Sequence, residues 1–316
     1  MSLLRLFIAF SALTVLVQGA EEPREWTSSD GQSKFLGDLV EFSETEVKIR
    51  RRSDFNQFRL PLNRLSKDDQ NYIQGLLRER RRDAGLKQGQ YAEKVTGEFV
   101  KGVSKQGLNY QLWGNPNLAP DGRYPIVIWL HGSGQSGDDN QSQLGGAPKV
   151  LTTEANQSTR LCFLLAPQCP SADIGWKNEA ADKLLALIAD LTDHLPIDES
   201  RIYLTGSSMG GFGTFGIAAK YPQVFAACVP LCGGGDVKKA EVLKNIPFWV
   251  FHGDQDDMVP VERSRAIVEA VKQIGGEKMN YTELAGAGHG ITGLVYPRPE
   301  LHEWLFKQKR TQAASD

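Results

Sequence analysis

The chain is poor in the residues that would make it a metal, redox or nucleic-acid protein. Its 316 residues include four cysteines, four methionines and five histidines, and its formal net charge is only −2. So small an imbalance gives no reason to expect nucleic acid or an anionic membrane as a partner. No Cys-x-x-Cys pair and no Cys/His spacing of a zinc site occurs, so neither metal nor other cofactor is expected. The glycine-rich Gly132-Ser133-Gly134 is not followed by a lysine at phosphate-loop spacing, which argues against a phosphate cradle. Beyond residue 20 no apolar run is long enough to span a bilayer. What remains, 41% hydrophobic and 23% charged residues, is the composition of an ordinary globular chain with room for one large domain and a small one.

The one sustained apolar run is Leu6 to Val17, behind Arg5 and ahead of the small residues Gly19-Ala20 and the acidic Glu21-Glu22-Pro23. This pattern predicts a cleaved signal peptide over residues 1–20 and a secreted or periplasmic product, because the run is short for an anchor. An oxidising compartment permits disulfides. Cys162 and Cys228 fall inside apolar runs and read as buried core. Cys228 and Cys232 stand ~13 Å apart along a strand, too far to bridge. A Cys169–Cys232 pairing is left open.

Two unlike regions follow. Residues 22–75 read as short strands with tight turns: Ser33 to Phe42, Glu46 to Arg51 and Gln57 to Leu60, closed by one helical turn that Ser66 caps. Leu76 to Gln90 is charged with interleaved signs and reads as a solvated linker helix reaching residue 94, not a basic patch. From 95 to 310 strands alternate with helices, ahead of a tail over 311–316. Pro125 to Leu130, Leu161 to Leu165, Ala226 to Leu231 and Pro247 to Phe251 are the continuous apolar runs of buried parallel strands. Helical periods lie at 180–194, 211–221, 261–274 and 300–307, and 279–284 is one more strand. This order predicts an α/β fold, a mostly parallel sheet with helices on both faces and its site at the carboxyl ends of the strands.

Between the strand-like Arg201 to Thr205 and the helix-like Gly211 to Tyr221 stands Gly206-Ser207-Ser208-Met209-Gly210. A Gly-x-Ser-x-Gly run in that setting is the nucleophile elbow of an α/β-hydrolase. The glycines clear space for a sharp turn, and Ser208 stands exposed over the positive end of the next helix. A serine hydroxyl needs a histidine to take its proton and an acid to hold that histidine. In this fold the chain order is serine, acid, histidine. His289, in the loop Ala285 to Gly290 after the last strand, is preferred over His302, which reads as a surface residue of the closing helix. Asp254, Asp256 and Asp257 all follow the strand that ends near Phe251. One oxyanion donor is expected at the backbone N–H of Met209 and, by analogy with hydrolases carrying an HGxG loop, the second at that of Ser133.

Together Leu130-His131-Gly132-Ser133-Gly134, Asp138-Asp139-Asn140, Ala166 to Pro170, Gly206 to Gly213 and His252 to Pro260 resemble the phospholipase/carboxylesterase-like hydrolases. Within them the chain is similar to members labelled predicted peptidases, near the feruloyl and polyhydroxybutyrate-type esterases. The resemblance implies that Asp256 is the acid, since His252-Gly253-Asp254-Gln255-Asp256-Asp257-Met258-Val259-Pro260 looks like the HGxxDxxVP segment of those families. His252 is given a structural place under the loop. Many members carry Gly-His-Asp and a tryptophan after the histidine; here the chain runs His289-Gly290-Ile291-Thr292, so the pocket differs there. In the first region, Arg24 to Gly31, Lys48-Ile49-Arg50 and Leu60 to Ser66 resemble an SLA1 homology 1 domain, a small SH3-like β-barrel. That implies a peptide or surface ligand, with a plain anchoring or spacer role as the simpler alternative.

Only about fifteen residues separate Leu231 from Pro247, where lipases of this fold insert a lid, so an open cleft is expected. Trp176 reads either as a cleft-lining residue or as buried packing. The function expected is an exported serine carboxylesterase acting on small or polymer-linked esters. A serine peptidase of the same fold and a catalytically silent binding protein are the alternatives.

Overall fold

The computed structural model describes residues 15–16, 23–87, 91–119 and 122–310. It falls into two compact units, Met1–Arg81 and Arg82–Asp316. The leader expected over 1–20 lies outside the described residues except for β1 (Val15–Leu16), and the 311–316 tail lies wholly outside them.

The first unit is an antiparallel sheet of β1, β2 (Arg24–Thr27), β3 (Lys34–Phe42), β4 (Glu46–Arg51) and β5 (Gln57–Pro61). β3 pairs with β1, β2 and β4, and β5 pairs with β4. Period-2 alternation turns Val47 and Ile49 inward against Trp26, Leu39 and Phe42. Trp26 is fully buried, and its Nε1–H donates to Gly37 O at 3.0 Å. The opposite face carries ion pairs: Arg50 and Arg52 on Asp38, and Lys48 and Arg59 on Glu41.

One feature differs from expectation. A short closing turn and a separate linker helix were expected, whereas α1 runs unbroken over Lys67–Lys87. Its start is capped reciprocally. Asp69 N–H donates to Ser66 Oγ, whose hydroxyl donates back to Asp69 Oδ2, while Asp69 also takes Arg24 Nε and Thr27 N–H. The helix continues because Ile73 and Leu77, four apart, both pack on the small core.

The second unit holds an eight-stranded sheet. Its strands are β6 (Val100–Val103), β7 (Asn109–Trp113), β8 (Tyr124–Leu130), β9 (Phe163–Pro167), β10 (Ile197–Ser207), β11 (Ala227–Leu231), β12 (Phe248–Gly253) and β13 (Met279–Leu284). The order across the sheet is β6-β7-β9-β8-β10-β11-β12-β13. All pairings from β9 to β13 are parallel, and the β6–β7 hairpin adds an antiparallel edge. β9 begins and ends two residues later than its apolar run, because the ladder with β7 carries on to Tyr110 opposite Pro167.

The helices are α2 (Glu154–Gln157), α3 (Glu179–His194), α4 (Met209–Lys220), α5 (Ala240–Leu243), α6 (Glu262–Gln273), α7 (Thr292–Val295) and α8 (Pro299–Lys307). Side chains alternating along β8 feed two cores. Ile126, Ile128 and Leu130 join α3, α4 and α6 on one face of the sheet. Val127 and Trp129 join Leu301 and Leu305 of α8 on the other. That two-faced burial explains why the parallel strands read as uninterrupted apolar runs.

Candidate functional site

Ser208 sits between β10 and α4 with φ 59° and ψ −119°, a backbone conformation that L-residues rarely adopt. The surrounding chain leaves no alternative. A Cβ on Gly206 would lie 2.5 Å from Gly210 O, and one on Gly210 would lie 1.9 Å from Leu130 O. Ser208 N–H donates to Leu231 O at 2.9 Å, which ties the turn to the neighbouring strand end. The serine therefore stands clear of the sheet edge at the N-terminus of α4, as the Gly-x-Ser-x-Gly spacing requires.

His289 lies in the loop after β13, 17% exposed, with Nδ1 2.7 Å from Asp256 Oδ2. Asp256 has a fully buried side chain in the loop after β12. Burial works against its charge. The N–H of Val259, the His289 ring, the N–H of Met258 and the Cys232 thiol outweigh that cost and hold its pKa below the ordinary carboxylate value. Of the three aspartates left open by composition, Asp254 instead takes Gly286 N–H at 2.7 Å, a loop-to-loop tie, and Asp257 is exposed.

Ser208, His289, Gly132, Ser133, Gly134, Gln135 and Met258 line one cleft of about 240 Å³. Among the described residues no hydrogen bond joins Ser208 Oγ to the His289 ring; such bonds commonly tighten only with substrate in place. Ser133 opens a short 3₁₀ turn and Met209 opens α4, so both N–H groups precede the first intrahelical acceptor. Ser133 lines the cleft; Met209 is not among its lining residues and follows Ser208 at the start of α4.

The loop that carries Ser133 is braced from below. His131 is fully buried; its Nε2 accepts the N–H of Cys169 at 2.9 Å, so Nδ1 carries the proton and donates to Gly132 O at 2.6 Å. Burial lowers the His131 pKa. Asp139 steadies the following turn by accepting from Ser142, Gln141 and Gln168, which depress its pKa.

Two expectations are corrected. Trp176 does not line the cleft: it is 3% exposed, packs edge-on against His131 and donates Nε1–H to His131 O at 3.0 Å. A polar tip that finds a backbone partner lets the whole indole go into the core. His302 is not a surface residue either. It is 5% exposed with Nε2 2.7 Å from Tyr296 O, because α8 presses the Leu301–Leu305 side of that turn onto the second core. All four cysteines are free thiols, so the Cys169–Cys232 pairing left open is not made. Burial pushes Cys162 and Cys232 up to about 12. Cys232 adopts φ 45° and directs Sγ to His289 O at 3.3 Å. Its Sγ, an Asp256 oxygen and a His289 nitrogen lie within 4.8 Å of one another, the donor set in the described residues that could take a cation.

Sequence reasoning missed Met258, 69% exposed at the cleft rim, and Trp129, Gly145, Gly146 and Thr292 in its wall. Only the position of Met258, two residues after the acid, could have flagged it.

Comparison with known proteins agrees with this architecture. Residues 172–248, which include the Ser208 turn, match the family described as the prolyl oligopeptidase family. A thermostable esterase of known structure is 38% identical, with a TM-score of 0.60 over 67% of this chain and 63% of that one. A probable carboxylesterase of Oryza sativa subsp. japonica is 28% identical over 188 residues, covering 50% of this chain and 78% of the relative. Esterase LipC of Mycobacterium tuberculosis is 36% identical over 73 residues, which cover 23% of this chain and 16% of LipC. The chain thus spans a small part of LipC and less than two thirds of the thermostable esterase. These likenesses identify the second unit as an α/β-hydrolase fold.

Proposed function

We propose that the protein is a serine hydrolase that cleaves carboxylic esters through an acyl-enzyme. The observation that carries this reading is the His289 Nδ1–Asp256 Oδ2 contact of 2.7 Å, made by a histidine that shares a cleft with a strained, half-buried serine. Asp256 holds Nδ1, so Nε2 is the nitrogen left to act as base. It takes the Ser208 Oγ proton as Oγ attacks the acyl carbon, and the N–H groups of Ser133 and Met209 receive the developing oxyanion. The proton then passes from Nε2 to the departing alcohol. Water, deprotonated by the same nitrogen, releases the acid in the second half.

The short connection between β11 and β12 contains only α5 and a 3₁₀ turn, which favours an open cleft and esters of soluble or polymer-linked alcohols. We further propose that the chain is exported, on the strength of its first twenty residues. The first unit is read as an SLA1 homology 1-like, SH3-like module that anchors or spaces the second unit, with a peptide or surface ligand as the alternative.

A second reading, a serine peptidase, is favoured by the match to the prolyl oligopeptidase family over residues 172–248. One experiment separates the readings: hydrolysis of p-nitrophenyl esters, acetyl and feruloyl sugars, and peptide p-nitroanilides by wild type and Ser208→Ala. Ester turnover that disappears in the variant is expected. Turnover of the anilides alone would replace the esterase by the peptidase. No turnover, with no labelling by a fluorophosphonate probe, would leave a binding protein on a hydrolase fold.

A further inference from the structure

The structure assigns His252 as the positioning residue of the Asp256 carboxylate, an assignment that rests on the serine-hydrolase reading above. His252 is the penultimate residue of β12 and is fully buried. Its Nε2 lies 2.9 Å from Val259 O and 3.1 Å from Asp256 Oδ2. Both are acceptors, so Nε2 carries a proton; it donates to Val259 O and stands beside Asp256 Oδ2. Its Nδ1 lies 2.8 Å from Ser264 Oγ on α6, and that hydroxyl lies 2.9 Å from Gly233 O in the segment after β11. The ring is therefore held at both ends, with one end on the acid.

Counting what Asp256 accepts shows why this matters. Oδ1 takes Met258 N–H at 3.0 Å and Val259 N–H at 2.9 Å. Oδ2 takes His289 Nδ1–H at 2.7 Å, and His252 Nε2 stands beside the same oxygen at an ion-pair distance of 3.1 Å. The two backbone donors sit on Oδ1; besides the base, the groups that fix the rest of the carboxylate are His252 Nε2 beside Oδ2 and the Cys232 thiol. Without His252, the oxygen that orients His289 would lose the positive end of an imidazole N–H at 3.1 Å. The spacing achieves this within one segment. The chain leaves His252, turns through Asp256 and brings Val259 O back over the same ring nitrogen.

Two amide replacements divide the ring into its halves. The Nε2 of glutamine falls near imidazole Nε2, and the Nδ2 of asparagine near imidazole Nδ1. If His252 positions Asp256, His252→Gln keeps kcat for a p-nitrophenyl ester within about fivefold of wild type. His252→Asn and His252→Phe, lacking the N–H beside Oδ2, lose ~10- to 100-fold in kcat with KM changed less than about twofold, the scale expected when a catalytic group is misplaced. Ser264→Ala, which loosens only the Nδ1 end, stays within about threefold of wild type.

Equal kcat for the glutamine and asparagine variants, or a wild-type kcat for the phenylalanine variant, would overturn the assignment. So would a Ser264→Ala loss as deep as that of His252→Asn, since the ring would then act through α6. Long-range ¹H–¹⁵N spectra of the wild-type protein test it without any variant: a protonated Nε2 is expected, and a bare Nε2 on this ring would refute it. A wild-type protein with neither ester nor anilide turnover would fail the serine-hydrolase reading itself, and the positioning role with it.

Discussion

At the carboxyl edge of the sheet, the turn between β10 and α4 brings Ser208 to the cleft and the loop after β12 sets Asp256 behind His289, and the two side chains are held by different forces. Ser208 is held by repulsion. Its φ of 59° persists because Gly206 and Gly210 pass so close to Leu130 and to each other that no other path exists. Asp256 has no positive φ; attraction holds it, through two backbone N–H groups and two imidazoles. Steric holding demands glycine and admits no added atom, whereas polar holding demands donors and admits any residue that supplies them. Both kinds are needed. The nucleophile must project from the backbone at a fixed angle, while the acid must keep its charge in a site from which water is excluded.

The sharpest attack on this contrast is Gly210→Ala. With Leu130 O 1.9 Å from the new Cβ, the turn cannot form, and the expected outcome is loss of the cooperative thermal transition or of soluble protein, along with all turnover. A folded, active Gly210→Ala would end the steric account of the elbow. Next, Asp256→Asn keeps the shape of the acid but removes its charge and presents the wrong hydrogen-bonding pattern to His289. A loss of about 10⁴-fold in kcat with an unchanged melting profile is expected, by analogy with the equivalent change in a serine protease. A loss below tenfold would show that Asp256 is not the partner that matters.

Trp176→Phe tests the brace beneath the Ser133 loop. It abandons the bond to His131 O inside the core and should cost about 1–3 kcal/mol in chemical denaturation. It should also lower kcat several-fold without raising KM, since Trp176 touches the loop and not the cleft.

The same brace carries a pH signature. Burial lowers the pKa of His131 and of His302 in the folded protein, so the unfolded chain binds more protons just below the ordinary histidine value of about 6.5. Stability should therefore be full above that value and decline as pH falls from about 6.5 toward the depressed folded pKa values. Melting temperature followed from pH 7.5 to 5 checks this, and His302→Gln should flatten part of the slope. The smallest effect expected is that of Gly290→Ala. A Cβ there meets nothing within 4 Å, so less than about a twofold change in turnover is foreseen even though the residue adjoins His289. A large change would mean that the base loop too is held sterically.

Much of this was legible in one dimension for identifiable reasons. β8, β11 and β12 are buried on both faces, so their apolar runs needed no knowledge of neighbours. The elbow was legible because its strain is relieved by glycines at set positions within five residues. The β6–β7 hairpin escaped because its pattern is weak: β6 alternates half-exposed and exposed positions, and its strand character comes from pairing with β7. The unbroken course of α1 escaped because its charged second half, read as a separate linker helix, carries no apolar stripe that would join it to the turn capped by Ser66. Trp176 and His302 were ambiguous, since an aromatic with a polar edge suits both a cleft and a core until its partner is known.

The chain by itself determined the order of strands and helices, the serine that must project, and a short set of acids and bases that could serve it. Those properties rest on local sterics and on hydrophobic periodicity, which are written along the backbone. Only the tertiary structure decided which aspartate meets His289, that His252 shares its carboxylate oxygen, and that Trp176 supports the Ser133 loop from behind. These contacts join residues up to 45 positions apart, brought together by sheet register and loop packing, and hydrogen bonds between such distant partners leave no periodic trace in sequence.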